Sequence, residues 1–173
     1  LPVQAESLSE GEIKRFAATL PELRELGKKY RETDAFREMG RDIQEAAGKG
    51  EFKPMQMMVK RLSDHDMFDE FSGVIAEHGF DKPGEWARTG DRVMRALMAI
   101  EMESRNTENM KRRMEAMMDR LEGNPDVSEE QRKRMKKQME SAMAGMQAIT
   151  SAPEADIEAV RPYRDELKET MEE

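Results

Sequence analysis

The stretch Phe80-Asp81-Lys82-Pro83-Gly84-Glu85-Trp86, continued by Gly90, Val93, Leu97 and Ile100, decides how this chain is read. Asp81 is a candidate helix N-cap, and Pro83 and Glu85 suit a first turn. From Trp86 the stripe steps by four, three, four and three residues to Ile100. Met94, Met98 and Met102 widen it on one side. That spacing predicts a long helix crossing the middle of the fold. Trp86 is the single tryptophan, and its place in the first turn of the stripe points to core burial. An exposed binding anchor is the competing reading. Beside it, Arg88, Asp91, Arg92 and Arg95 read either as a solvated face or as a group that meets an anion or a partner loop.

Helical signals continue on both sides. Ser9-Glu10-Gly11-Glu12 is a capping box ahead of Ile13, Phe16, Ala17 and Leu20. Thr19-Leu20-Pro21-Glu22 resembles a second cap, which predicts two helices meeting near Thr19 or one kinked helix. A helix is expected over 35–47 with Phe36, Met39, Ile43 and Ala46 inward, ended by Gly48-Lys49-Gly50. A short one is expected over 54–62. The next, capped by Ser63 or Asp64, carries Met67, Phe68, Phe71, Val74 and Ile75 and stops at Gly79.

Downstream, Met110, Met114, Met117 and Leu121 form one stripe, with Met118 beside it. Gly123-Asn124-Pro125 interrupts, and Ser128-Glu129-Glu130-Gln131 is a second capping box. Met135, Met139, Ala142, Met146 and Ile149 form the next stripe, with Met143 beside it. The short connection predicts an antiparallel hairpin. Met118 and Met143 would widen its seam into a face, covered by the Trp86–Ile100 helix, a second subunit or a client. Pro153 opens a C-terminal part in which Ile157, Val160 and Leu167 can pack. Nothing reads as strand. The expected fold is all-α: a single-domain irregular multi-helix bundle over 6–173 of about seven to eight helices, with a methionine-rich antiparallel hairpin. Residues 1–5 are expected to be a disordered remnant or linker.

Composition bounds the function. The 173 residues include no cysteine, which removes disulfides, thiolate metal sites and a cysteine nucleophile. The formal net charge of −8 disfavours nucleic-acid backbones and anionic bilayers. No apolar run is long enough for membrane insertion. GxGxxG, GxxxxGK and GxSxG motifs are missing from the sequence, and neither of its two histidines belongs to HExxH. His65 with Asp64, Asp66 and Asp69 is the nearest approach to a metal site, but acidic residues at a helix start explain it more simply. His78 reads as a helix C-terminal residue. No cofactor, metal or catalytic residue is assigned. Val3-Gln4-Ala5 has the small-x-small shape of a signal-peptidase site, which favours a periplasmic or secreted protein; an arbitrary boundary is the alternative.

Two features remain for a partner. Eleven of the 17 methionines fall between Met94 and Met146. They read first as core filler, next as an adaptable binding surface, and last as thioether ligands for copper(I). The basic run Arg132-Lys133-Arg134-Lys136-Lys137 reads as a solvated face or as an internal match to the acidic segment after Pro153. The candidate binding residues are Met110, Met114, Met117, Met118, Met139, Met143, Met146, Trp86 and Arg88.

Val127-Ser128-Glu129-Glu130-Gln131 resembles the LTxxQ-type motif of small helical bacterial periplasmic proteins, the Spy/CpxP group. The resemblance covers this one helix start. It implies an envelope setting, a helical dimer and a chaperone-like alternative. The expected function is a non-enzymatic helical interaction or structural protein of the bacterial envelope, with a protein partner or a homodimer. The alternatives are a periplasmic chaperone-like module using a methionine-rich surface and a copper(I)-binding protein.

Overall fold

The central helix is buried nearly all round, because its small and apolar residues are not confined to one side. In the computed structural model, which describes residues 6–105 and 107–172, it is α5 (Pro83–Glu103). Trp86, Ala87, Thr89, Gly90, Asp91, Val93, Ala96, Leu97, Ala99 and Ile100 are all buried. Around it stand α1 (Glu10–Tyr30), α2 (Asp34–Gly48), α3 (Pro54–Leu62) and α4 (Phe68–Glu77). They are followed by α6 (Thr107–Glu122), α7 (Glu129–Thr150), α8 (Glu154–Val160) and α9 (Arg164–Glu172), with a 3-10 turn at Arg161–Tyr163. No strand occurs among the described residues, and none of the described helices is long and apolar enough to cross a membrane. Segment 1–5, where the signal-peptidase reading falls, and the side chain of Ile149 lie outside the described residues.

Trp86 joins three helices. Its ring centroid lies 5.1 Å from that of Phe71 on α4, edge to face, and 5.5 Å from that of Phe16 on α1. The indole Nε1 donates to Thr19 Oγ1 at 3.0 Å, and that hydroxyl donates to the Phe16 carbonyl at 2.6 Å. Thr19 therefore caps nothing: α1 continues through Pro21 as one helix. One turn beyond Trp86, a Cβ built on Gly90 would fall 2.5 Å from the Phe16 ring, so α1 and α5 approach closely only because that position is glycine.

Two buried carboxylates tie the periphery to this helix. Asp91 accepts from the amides of Met55 and Gln56 at 2.7 and 3.2 Å, capping α3 from a different helix. Burial pushes its carboxyl above the ordinary aspartate value, against the pull of those amides. Asp156 on α8 accepts from the Leu8 amide at 3.0 Å and from Arg92 Nε and Nη2 at 3.0 and 2.8 Å. Arg92 Nη2 also donates to the Glu6 carbonyl at 2.6 Å. Arg95 reaches the Phe52 carbonyl at 2.9 Å. Of the four charged residues near Trp86, Arg92, Asp91 and Arg95 are thus occupied within the fold, and Arg88 is exposed and has no such tie among the described residues.

Several local expectations are corrected. Neither Ser63 nor Asp64 caps α4, which starts at Phe68; a turn precedes it, in which His65 Nδ1 accepts from the Met67 amide at 3.1 Å. Lys82 rather than Asp81 holds the N-cap position of α5, and with Pro83 at the first helical position one orphan N–H is already missing. Gly79 does end α4, with φ +88°. The acidic C-terminal segment packs against α1 and α5 rather than against the basic part of α7. Its anchors are the fully buried Val160 and Leu167, and Arg24 Nη1 donates to the Thr170 carbonyl at 2.9 Å. Apolar burial outweighs surface charge attraction, which salt screens.

Glu101 on α5 accepts from Arg164 at 2.6 Å and from Lys168 at 3.2 Å. The Arg164 hydrogen bond, aided by Lys168, holds its carboxyl below the ordinary glutamate range. Such a group contributes stability that is complete above the unfolded value, about 4.3, and lost as pH falls through the lower folded value. Glu101→Gln is therefore expected to lower the melting temperature at about pH 7, and the difference from the wild-type chain should shrink as the pH falls below the unfolded value. Trp86→Ala is expected to cost about 3–5 kcal/mol in denaturant unfolding. Gly90→Ala should also destabilise, because its methyl meets the Phe16 ring.

Candidate interaction surface

Helices α6 and α7 separate into an anchored part and a free part. The second half of α7 lies against α2 and α5. A Cβ on Gly145 would sit 3.5 Å from the Ala47 carbonyl, a Cβ on Gly48 would sit 3.3 Å from that of Ser141, and Ala148 is buried. Small residues on both sides permit this approach. The first half of α7 has no such neighbour: from Glu129 to Gln138 every residue except Arg132 is exposed. Helix α6 has its extended contact with α7. The Trp86–Ile100 helix packs on α7 but makes no extended contact with α6, so it covers the face of the hairpin on the α7 side alone; the rest of α5 is taken up by α1, α3, α4 and α8.

The connection is held by local bonds. Ser128 Oγ accepts from the Gln131 amide and Gln131 Oε1 accepts from the Ser128 amide, both at 3.3 Å, so the expected capping box is formed. Asn124 Oδ1 accepts from the Asp126 amide at 3.0 Å, and Arg132 Nη2 donates to the Asn124 carbonyl at 3.0 Å. The arm therefore has a defined closed end.

The methionines divide along it in a way the stripes do not foretell. Met114, Met118 and Leu121 are half-buried, while Met110 and Met117 are 44% and 58% exposed. Met118 therefore belongs to the covered side of α6, and Met117, expected in the seam, faces outward. On α7, Met135 is 40% exposed, and Met139, Met143 and Met146 are half-buried. Of the candidate binding residues, Met110, Met114, Met117, Met118 and Met139 lie along the arm, and Met143 and Met146 lie on its anchored half. Trp86 is 1% exposed and offers no surface to a partner. Arg88 is exposed on α5, apart in the chain from the methionines of α6 and α7.

A cleft of about 190 Å³ lies between α6 and α7 at the closed end. Met118 and Leu121 supply its apolar lining; Arg132, Lys133 and Lys136 supply cations, and Glu122 and Glu129 supply carboxylates. Glu122 lies 3.6 Å from Lys136. The sequence reading missed Leu121, Met135 and these three cations as site residues. The available signal was that the basic run begins at a helix start directly across the loop from Met118 and Leu121. Among the described residues, no group of three or more His, Asp or Glu side chains is placed to hold a metal ion. His65 instead stacks edge to face with Tyr30, centroids 5.6 Å apart.

No known family model, curated protein or solved structure matches this chain.

A helix packed on one neighbour has fewer buried contacts to protect its amides than one packed on five. Amides of α6 are expected to exchange with deuterium faster than those of α5 by orders of magnitude, read by mass spectrometry of peptides. Equal protection of both helices would mean that α6 is covered in solution.

Proposed function

We propose that this chain is a non-enzymatic helical interaction protein that engages a protein partner through the α6–α7 arm. One observation carries the reading. Among the described residues, the exposed large apolar side chains are Met110, Met117, Met135 and Met171, and three of these four lie on the arm. Single exposed apolar residues are ordinary, but a group of flexible thioethers on one projecting pair of helices is the composition of an adaptable binding face. The body supports such an arm rigidly, since α7 is seated on α2 and α5 through glycine and alanine contacts. The bacterial envelope belongs to the same reading, on the likeness of Val127–Gln131 to the LTxxQ-type motif. A chaperone-like version, in which many unfolded clients share the face, uses the same methionines.

The test is a titration with an apolar fluorescent dye under native conditions. The wild-type chain is expected to bind it saturably. The combined variant Met110→Gln, Met117→Gln, Met135→Gln should lose most of that binding, while each exposed substitution shifts stability by no more than about 0.5 kcal/mol. No saturable binding, or binding unchanged in the variant, would remove the arm as the interaction surface. One stoichiometric partner from an envelope extract separates the single-partner version from the chaperone-like one, for which many unfolded polypeptides are expected.

A further inference from the structure

Sulfur is placed unevenly in this protein. The chain has no cysteine, so its 17 methionines are its only sulfur. Among the described residues, the exposed ones are Met110, Met117 and Met135 on the arm and Met171 on α9, whereas Met39 and Met67 are buried. The oxidisable indole of Trp86 is sealed in the core. Thioethers also make the seam of the arm. The half-buried large apolar side chains of α6 are Met114, Met118 and Leu121, so two of the three are methionine. The extended contact of α6 is with α7. The half-buried methionines of α3 and α5 stand instead on helices gripped by at least two neighbours. A cleft of about 190 Å³ opens beside Met118. A liquid water occupies about 30 Å³, so a molecule the size of hydrogen peroxide reaches the Met118 side chain without separating the helices.

We propose that the α6–α7 arm is a site of methionine oxidation by peroxides, and that sulfoxides at Met114 and Met118 release α6 from α7 while the body stays folded. A lone pair of the thioether sulfur attacks one oxygen of hydrogen peroxide. The S–O bond forms as the O–O bond breaks, and the proton of the transferred oxygen passes to the departing hydroxide, which leaves as water. Sulfur loses two electrons and the peroxide gains them. Met110, Met117 and Met135 react first, and their sulfoxides face water at little structural cost. A sulfoxide at Met114 or Met118 instead puts a polar oxygen into an apolar seam, where its desolvation opposes packing. Once released, α6 has 16 residues, a marginal length for a lone helix in water. The inference stands on the placement of sulfur and holds whether or not a partner uses the arm.

The full chain is treated with hydrogen peroxide under native conditions, and sulfoxides are located by peptide mass spectrometry. Brief trypsin digestion reads the opening of α6 at Lys111, Arg112, Arg113 and Arg120. Met110, Met117, Met135 and Met171 should gain oxygen first, Met114 and Met118 next, and Met39 and Met67 last. Once Met114 and Met118 are sulfoxides, cleavage within α6 should rise roughly tenfold, because the open population sets the rate. The near-ultraviolet circular dichroism of Trp86 should not change. Met114→Leu with Met118→Leu keeps the seam volume and removes both sulfurs, so peroxide should leave its cleavage rate unaltered. A second variant, Met110→Leu, Met117→Leu, Met135→Leu, keeps the seam sulfurs and should still open on oxidation. Methionine sulfoxide reductases of both stereospecificities should restore slow cleavage. Unchanged cleavage of the oxidised wild-type chain overturns the inference. So does an equal rise in the Met114, Met118 variant, and so does loss of the Trp86 signal along with α6, which would mean that the whole fold is lost.

Discussion

The indole of Trp86 is the contact on which the rest of the fold depends. Among the described residues it is the only side chain that meets an aromatic ring on α1 and another on α4 while its N–H is satisfied inside the core by Thr19. A buried indole without that acceptor would carry the desolvation cost of an unpaired donor. Thr19 resolves this by turning its own proton to the Phe16 carbonyl, which leaves the hydroxyl oxygen free for Trp86. Gly90, one turn away, lets the Phe16 ring lie against the α5 backbone. Ring, hydroxyl and missing side chain therefore form one arrangement, and a change in any of them is felt by the other two.

Around that centre the protein uses charge sparingly but deeply. Asp91 and Asp156 are both buried, and each is compensated by donors from other parts of the chain. Asp91 satisfies amides at the start of α3, where Lys53 and Pro54 supply no side-chain cap. Asp156 draws together the N-terminal segment, α5 and α8 through a two-toothed contact with Arg92. Their value lies less in net stability than in specifying which helix start meets which turn of α5. Most of the remaining ion pairs lie at the surface and contribute little each.

The arm contrasts with this body. Its loop is closed by local hydrogen bonds, and its inner half is anchored by glycine and alanine contacts, yet its outer half has neither an aromatic ring nor a buried carboxylate. Methionine is well suited to that setting: it favours helix, and its thioether adapts to whatever surface it meets. The basic start of α7 stands beside the apolar end of α6 because the loop is short, so a two-sided cleft arises from chain connectivity.

The sequence by itself determined the helical class, the boundaries of α2 and α3 to within a residue, the stop at Gly79, the capping boxes at Ser9 and Ser128 and the burial of the stripe from Trp86 to Ile100. All of these follow from local periodicity, capping chemistry and glycine, which act within one or two turns. Which charged residues near Trp86 were structural was a tertiary matter, since Asp91, Arg92 and Arg95 find their partners 36, 64 and 43 residues away. So was the destination of the acidic tail: composition suggested the basic helix, but Val160 and Leu167 took it to α5 and α1. The methionine stripes mark which faces of α6 and α7 are apolar. Spacing alone does not say how far one helix is rotated about the other, and that rotation decides that Met118 lines the cleft while Met117 meets solvent.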